Sequence, residues 1–204
     1  MRSHENAKQS AESISREKKQ NMERNLAVLK KENEELQGWV EIEGTTIDYP
    51  VMQADNEFYL THDFRKKQNK HGVPFLDESI NPQKENLVVY GHHMKDGTMF
   101  AALENYKKEE FLKEHKKIHW HTESGDEVYE IYCVCMADAV NQSDVFAKAV
   151  FQKEKIRRDW IEENSELLYY SERTEAAKEE RQLVLITCEY TTKNNKLLVF
   201  AMKI

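Results

Sequence analysis

The stretch "LVLITCEY", residues 183–190, decides how the rest of the chain is interpreted. Its apolar first half, with the β-branched Val184 and Ile186, is typical of a buried β-strand. Cys188 follows at the end of that strand, after Thr187 and before a polar loop. Cysteine is among the residue types most often buried, so on its own this thiol fits inert packing better than catalysis.

Length and charge limit the class of protein. The chain has 204 residues, 33% of them charged, and a formal net charge of -7, which disfavours a general nucleic-acid-binding surface. Residues 1–37 are almost all polar, with a thin apolar stripe toward the end, and predict a helix that Gly38 terminates. We therefore predict an N-terminal helical extension over residues 1–37 and one domain over residues 38–204.

The start of the chain carries no targeting signal. No apolar run approaches the roughly 20 residues that a membrane span needs, and no signal peptide is visible. The opening "MRSHENAKQS" is polar throughout. Two origins fit it: a protein whose anchor has been removed, with "MRSH" as the remnant, or a cytosolic protein.

Short strand patterns dominate the domain. Residues 39–53 indicate a hairpin around a Gly-Thr turn, and residues 99–118 and 144–172 have amphipathic helical spacing. Further strands are expected at residues 72–78, 86–91, 127–140, 183–188 and 196–204. Because strands and helices do not alternate regularly, a doubly wound parallel sheet is disfavoured. The pattern predicts a mainly β (α+β) fold, a closed or nearly closed β-barrel with peripheral helices.

A histidine supplies the best partner for the thiol. In "YGHHM", a strand ends at Gly91 and His92 follows directly. A catalytic cysteine needs a base or a cation nearby to hold it as the thiolate. Spacing alone leaves two readings equally open: a Cys188–His92 pair, or an inert thiol beside an exposed histidine.

Other chemistries have weaker support. His119 and His121 share a face if "HWH" is extended, but no HExxH motif or second cysteine pair completes a zinc site, so we predict no metal. Cys133 and Cys135 are expected to pack on one face of a strand. The chain contains no G-x-S-x-G and no phosphate-binding glycine loop.

Three segments together resemble the class B sortases, which are cysteine transpeptidases of the Gram-positive cell surface. They are "GWVEIEGTTIDYPVMQADNEFYLTHDF", "NLVVYGHHMKDGTMF" and "LVLITCEY", in that order along the chain. The resemblance extends over residues 38–204. It implies an eight-stranded β-barrel with an N-terminal helical extension and a long helix between the sixth and seventh strands, which "FQKEKIRRDWIEENSELL" suits.

The resemblance also implies site residues. The catalytic cysteine matches Cys188, and the catalytic histidine matches His92, so that His93 is only a neighbour. Positions that line the substrate groove in similar enzymes match four further residues: Asn56, Leu60, Thr187 and Glu189.

One position departs from the family pattern. The family has an arginine at the start of the last strand, where this chain has Lys196, and no arginine occurs after Arg181. Lysine keeps the charge but lacks the planar, multi-donor guanidinium. Either Lys196 does the same work less well, or the position has been altered, or Lys193 is the counterpart. We expect weak activity from this chain.

The implied activity is cleavage of a C-terminal sorting signal after a Thr, through a thioacyl-enzyme, with transfer of the surface protein to an amine of peptidoglycan. No cofactor is needed for this chemistry. The implied location is the extracellular face of the membrane of a Gram-positive bacterium, held by an N-terminal segment absent from this sequence. Two alternatives remain: a Cys–His peptidase that releases its product by hydrolysis, and a non-catalytic barrel that binds the wall or a partner.

Overall fold

Eight β-strands close into a barrel in the computed structural model. The structure describes residues 25–139, 159–160, 162–172, 181–188 and 194–204, and for Cys188 it describes the backbone only. The nine strands of the described residues are β1 (Leu36–Glu41), β2 (Asp48–Met52), β3 (Phe75–Leu76), β4 (Leu87–Tyr90), β5 (Lys117–Thr122), β6 (Gly125–Asp138), β7 (Leu168–Ser171), β8 (Gln182–Cys188) and β9 (Asn195–Lys203), and one of them, β7, lies outside the barrel. This architecture confirms the predicted mainly β fold.

Few helices accompany the strands. Residues 25–32 form helix α1, and α2 covers Glu109–Glu114. Short 3-10 helices cover Phe58–Leu60, Phe100–Lys107 and Ser165–Leu167. Among the described residues, no helix is both long enough and apolar enough to cross a membrane.

The barrel closes between β5 and β6. The strand order is β5-β1-β2-β3-β4-β8-β9-β6, and the antiparallel pairing of β5 with β6 completes the ring. Strand β6 is 14 residues long, so one of its edges pairs first with β5 and then with β7, which lies outside the ring. Closure leaves no free edge within the barrel wall.

The strand that ends at Cys188 is buried on both faces. Leu183 and Leu185 belong to the cluster that fills the barrel. Val184 and Ile186 belong to a second cluster on the outside of the wall, which Trp160 helps to cover. Successive strand residues point to opposite faces, so a strand covered on both sides needs a continuous apolar run. That requirement explains why "LVLI" does not alternate with polar residues.

Two sequence predictions about elements are wrong, and one strand was not predicted. Helix α1 ends at residue 32, and Gly38 lies inside β1, where a Cβ atom would stand 2.5 Å from Cζ2 of Trp120. Gly38 is therefore explained by close packing and not by helix termination. Residues 168–171, predicted as the end of a helix, form strand β7. Strand β5, which contains "HWH", was not predicted.

The N-terminal segment packs onto the domain. Leu26 of α1 and Leu36 of β1 are buried in one apolar cluster with Met52, Tyr59 and Phe75. Strand β1 thus begins before residue 38. The division into an extension of residues 1–37 and a domain of residues 38–204 stays a prediction.

Candidate active site

Two parallel strands bring His92 and Cys188 to the same end of the barrel. Strands β4 and β8 pair in parallel, and Tyr90 is opposite Ile186 in the last pair of their register. The amide of Gly91 then donates to the carbonyl of Ile186 across 3.0 Å. His92 and Cys188 each stand two residues beyond that last pair, so continuation of the register sets them opposite each other.

A third strand adds a cation at the same level. Strand β9 is antiparallel to β8, and Cys188 and Lys196 are Cα partners in that ladder. Three adjacent strands therefore carry the candidate residues: His92 follows β4, Cys188 ends β8, and Lys196 lies opposite Cys188 on β9. This backbone arrangement brings the cysteine, the histidine and the lysine to the same end of the barrel.

These strand ends border a cleft of about 300 Å³. It contains five of the residues that the sequence predicted for the site: Asn56, Leu60, His92, Thr187 and Lys196. Glu189 lies outside the described residues, as does Lys193, the alternative to Lys196. Residues that sequence reasoning missed are Phe75, Tyr90, Gly91 and Ile186, which supply most of the apolar lining.

The ring of His92 is held by a backbone carbonyl. Nε2 of His92 lies 2.8 Å from the carbonyl oxygen of Leu60, and since a carbonyl only accepts, Nε2 carries the proton. The carbonyl of His92 accepts from the amide of Phe100 across 2.8 Å. Both the side chain and the backbone of this residue are thus oriented by the 3-10 helices that flank the cleft.

Gly91 precedes His92 for a steric reason. A Cβ atom at Gly91 would stand 2.5 Å from Cδ2 of Phe100. The Phe100 ring is fully buried at the start of the 3-10 helix Phe100–Lys107. A larger residue at position 91 would push this ring away from the strand end and shift the backbone that carries His92.

The hydroxyl of Thr187 joins the two strand ends. Thr187 is 2% exposed, and its Oγ1 donates to the carbonyl of Gly91 across 2.8 Å. The residue before Cys188 is thereby tied to the residue before His92. Thr187 lies in the wall of the cleft, and its hydroxyl holds the two strands together.

A buried carboxylate stands behind the cleft. Oδ2 of Asp77 accepts from Nδ2 of Asn56 and from the hydroxyl of Tyr90, each across 3.3 Å. Burial, followed by the charge and the hydrogen bond of Asp77, raises the pKa of Tyr90 well above its usual value, so the phenol stays neutral. The available sequence signal was an acid directly after the apolar strand in "FLDE".

The other candidate residues have structural partners. Nδ1 of His121 lies 2.8 Å from Asp126 and Nε2 lies 3.3 Å from Glu41. Within the described part of the chain, no group of three or more His, Cys, Asp or Glu side chains is arranged to hold a metal ion. Cys133 and Cys135 are buried, and the hydrogen bond with Cys133, together with burial, raises the pKa of Cys135 and keeps it a thiol.

Comparison with known proteins gives the family. A family model for the sortase domain matches residues 40–204. The solved structure of Clostridium perfringens sortase B is 33% identical and superposes with a TM-score of 0.77, over 87% of this chain and 98% of that one. The chain belongs to the class B sortases. Its barrel is therefore a sortase barrel, and the family relationship supports a general role as a cysteine transpeptidase.

Two curated relatives agree with this assignment. Sortase B of Staphylococcus aureus is 28% identical over 178 residues, which is 85% of this chain and 72% of the relative. Sortase B of Listeria monocytogenes is 29% identical over 167 residues, or 80% of this chain and 67% of the relative. The predicted resemblance to class B sortases is confirmed.

Proposed function

We propose that this sortase cleaves a C-terminal sorting signal of surface proteins after a Thr and joins the new carboxyl end to an amine of peptidoglycan. The observation that carries the proposal is the backbone register that aligns Cys188 with Lys196 and, by continuation, with His92. A cleft of about 300 Å³ at these strand ends is open to a peptide. The family relationship supports the same reaction type.

In the first half of the reaction, the Cys188 thiolate attacks the carbonyl carbon of the Thr. The tetrahedral oxyanion is stabilised by backbone N–H groups and by the positive charge of Lys196. Collapse breaks the C–N bond, and His92 as imidazolium donates a proton to the leaving amine. The product is a thioacyl-enzyme in which the substrate protein is bonded to the sulfur.

Proton transfer at His92 is assigned to Nδ1. The Leu60 carbonyl accepts the Nε2 proton across 2.8 Å, so Nε2 remains protonated in both charge states of the ring. Nδ1 is therefore the nitrogen that is protonated and deprotonated during the reaction.

In the second half of the reaction, an amine of peptidoglycan attacks the thioacyl carbon. The C–S bond breaks, Cys188 leaves as the thiolate, and His92 takes the proton that the new amide nitrogen gives up. Water competes with the amine for the same carbon, and attack by water would give hydrolysis. Every step uses groups of this chain and its two substrates.

The substrate groove is assigned to Asn56, Leu60, Thr187 and Glu189. Leu60 and Thr187 line the described cleft beside the aromatic rings of Phe75 and Tyr90. An apolar floor with a few polar groups suits an extended peptide whose side chains set specificity. We further propose that the enzyme works at the extracellular face of a Gram-positive membrane, held by an N-terminal anchor.

A fluorogenic sorting-signal peptide tests the proposal. Wild type is expected to cleave it, Cys188→Ala is expected to be inactive, and Cys135→Ala provides the same change at a buried thiol away from the cleft. Cleavage by Cys188→Ala would falsify the nucleophile assignment. Mass spectrometry with and without an added peptide amine separates transpeptidation from hydrolysis, and failure to form the amide product in excess amine would favour a hydrolytic peptidase.

A further inference from the structure

Asp77 is anchored by its backbone directly after β3. The residue is 6% exposed. Its amide donates to the carbonyl of Val88 across 3.0 Å, and its carbonyl accepts from Nε2 of Gln53 across 2.9 Å. Its position is therefore set by the barrel and not by a mobile loop.

The carboxylate of Asp77 accepts from four donors. The amide and the hydroxyl of Ser79 donate to Oδ1 across 3.0 and 2.6 Å. Nδ2 of Asn56 and the hydroxyl of Tyr90 donate to Oδ2, each across 3.3 Å. Oδ1 thus binds only Ser79, which does not line the cleft, and Oδ2 binds two residues that do, Asn56 and Tyr90. Both oxygens of this buried carboxylate therefore have hydrogen-bond partners.

This arrangement sets the orientation of the Asn56 amide. Oδ1 of Asn56 accepts from the amide of Glu78 across 2.9 Å, and Nδ2 donates to Asp77. The backbone N–H of Glu78 can only donate a hydrogen bond, and the carboxylate of Asp77 can only accept one. The amide cannot flip without losing both bonds. Nδ2 has a second hydrogen, which can donate to a carbonyl oxygen of a peptide in the cleft.

The hydroxyl oxygen of Tyr90 provides an acceptor beside the Asn56 donor. Its hydroxyl hydrogen goes to Asp77, so its oxygen can accept from a ligand. The centroid of its ring lies 5.5 Å from that of Phe75, against which it packs. Asn56 and Tyr90 therefore present one donor and one acceptor side by side, the pattern that the backbone of an extended peptide matches.

We propose that Asp77 is a positioning residue for peptide binding, which sets the directions in which Asn56 and Tyr90 present a hydrogen-bond donor and acceptor to the cleft. This inference rests on the proposed function, since it takes the sorting-signal peptide as the ligand. Asp77 touches neither the peptide nor the reacting atoms. Its contribution belongs to the binding step and not to the chemistry of Cys188.

The test is Asp77→Asn, with Ser79→Ala as the matched control on the other carboxylate oxygen. The asparagine has the same shape but only one acceptor oxygen. The Ser79 amide can only donate, so we expect it to retain that oxygen. The NH2 group then faces Asn56 and Tyr90, which lose their common acceptor. We expect KM for the peptide to rise about tenfold with kcat nearly unchanged, the size of one hydrogen bond to a charged group. Ser79→Ala is expected to leave KM within about twofold.

A double-mutant cycle separates positioning from general damage. The effects of Asp77→Asn and Asn56→Ala on KM should be strongly non-additive if Asp77 acts through Asn56. Additive effects, or an unchanged KM in folded Asp77→Asn, would overturn the inference. The rate at which a small alkylating reagent labels Cys188 should be the same in wild type and Asp77→Asn, because the reagent needs no hydrogen bond from Asn56 or Tyr90.

Two further measurements keep the result interpretable. If Asp77→Asn does not fold, coupling is measured between Asn56→Ala and Tyr90→Phe, which share the same Asp77 oxygen, and additivity there overturns the inference. Peptide affinity is also measured by fluorescence anisotropy with Cys188→Ala, which needs no turnover. A wild type that neither cleaves nor binds the peptide contradicts the proposed function, whereas normal wild-type activity with an unaffected Asp77→Asn contradicts only the role of Asp77.

Discussion

Cys188 and Lys196 are direct Cα partners in the antiparallel ladder between β8 and β9. Lys196 also lines the cleft. Lys196, which the sequence resemblance matches to an arginine of the family, thus lies one strand away from the predicted nucleophile. An ammonium group carries the charge, but it cannot make the two parallel hydrogen bonds of a guanidinium.

Two replacements of Lys196 are expected to change kcat, one upward and one downward. Lys196→Arg should raise kcat about tenfold, and Lys196→Ala should lower it about a hundredfold, the usual cost of losing one oxyanion-stabilising group. Steady-state kinetics with a sorting-signal peptide measures both. Lys203→Arg, near the far end of β9, is the control. An unchanged or lower rate for Lys196→Arg would mean that Lys196 does not occupy the arginine role.

The Thr187 hydroxyl is expected to maintain the spacing between the strand ends. Thr187→Val removes the hydrogen bond to the Gly91 carbonyl but keeps the shape, so a buried acceptor loses its partner. We expect a loss of about 1–2 kcal/mol in the free energy of unfolding, together with a lower kcat. Thr187→Ser keeps the hydroxyl, so its free energy of unfolding and its kcat should stay close to those of wild type. Urea unfolding and peptide cleavage are the measurements, and equal stability of the two variants would contradict the prediction.

The N-terminal helix is expected to support the cleft. Leu26 is 1% exposed and shares an apolar cluster with Phe75, which lines the cleft. Leu26→Ala should reduce the free energy of unfolding by about 2–4 kcal/mol and raise KM. Val28, on the same helix, is 64% exposed, so Val28→Ala should change stability by less than about 0.5 kcal/mol. If both substitutions have the same effect in urea unfolding, the helix is not docked as described.

Glu127 is expected to make folding stability sensitive to acid. Lys203 lies 2.7 Å and Arg181 3.1 Å from its carboxylate. Burial alone would raise the pKa of Glu127, but the hydrogen bonds from Lys203 and Tyr129 and the charge of Arg181 outweigh it, and the net pKa is lowered. The folded state therefore binds the proton less readily than the unfolded state.

The resulting stabilisation is complete above the ordinary pKa of 4.5 and is lost as the pH falls from there through the lower pKa of the folded state. Thermal unfolding of wild type and Glu127→Gln across this range measures it. The difference between the two should shrink as the pH falls. Glu163→Gln, at an exposed position, should show no such trend. A constant difference between wild type and Glu127→Gln would count against the ion-pair explanation.

Patterns that depend on local sequence predicted their elements well. The apolar run of β8, the hairpin of β1 and β2, and the strand before Gly91 are all present. Strand β7 was missed because its "LYYS" continues a helical spacing of apolar residues, and only its pairing with β6 selects the extended form. Gly38 was misread because the ring of Trp120 that it accommodates is more than 80 residues away in sequence.

By itself, the sequence predicted the residues of the candidate site: Cys188 at the end of one buried strand, His92 just after another, and Lys196 at the start of the last strand. Local composition specifies a strand and where it ends. Only the tertiary structure decided that β4 and β8 are parallel neighbours, that β9 is beside them, and that Asp77 stands behind Asn56 and Tyr90. Strand order and register depend on barrel closure and on packing between distant residues, which no local pattern contains.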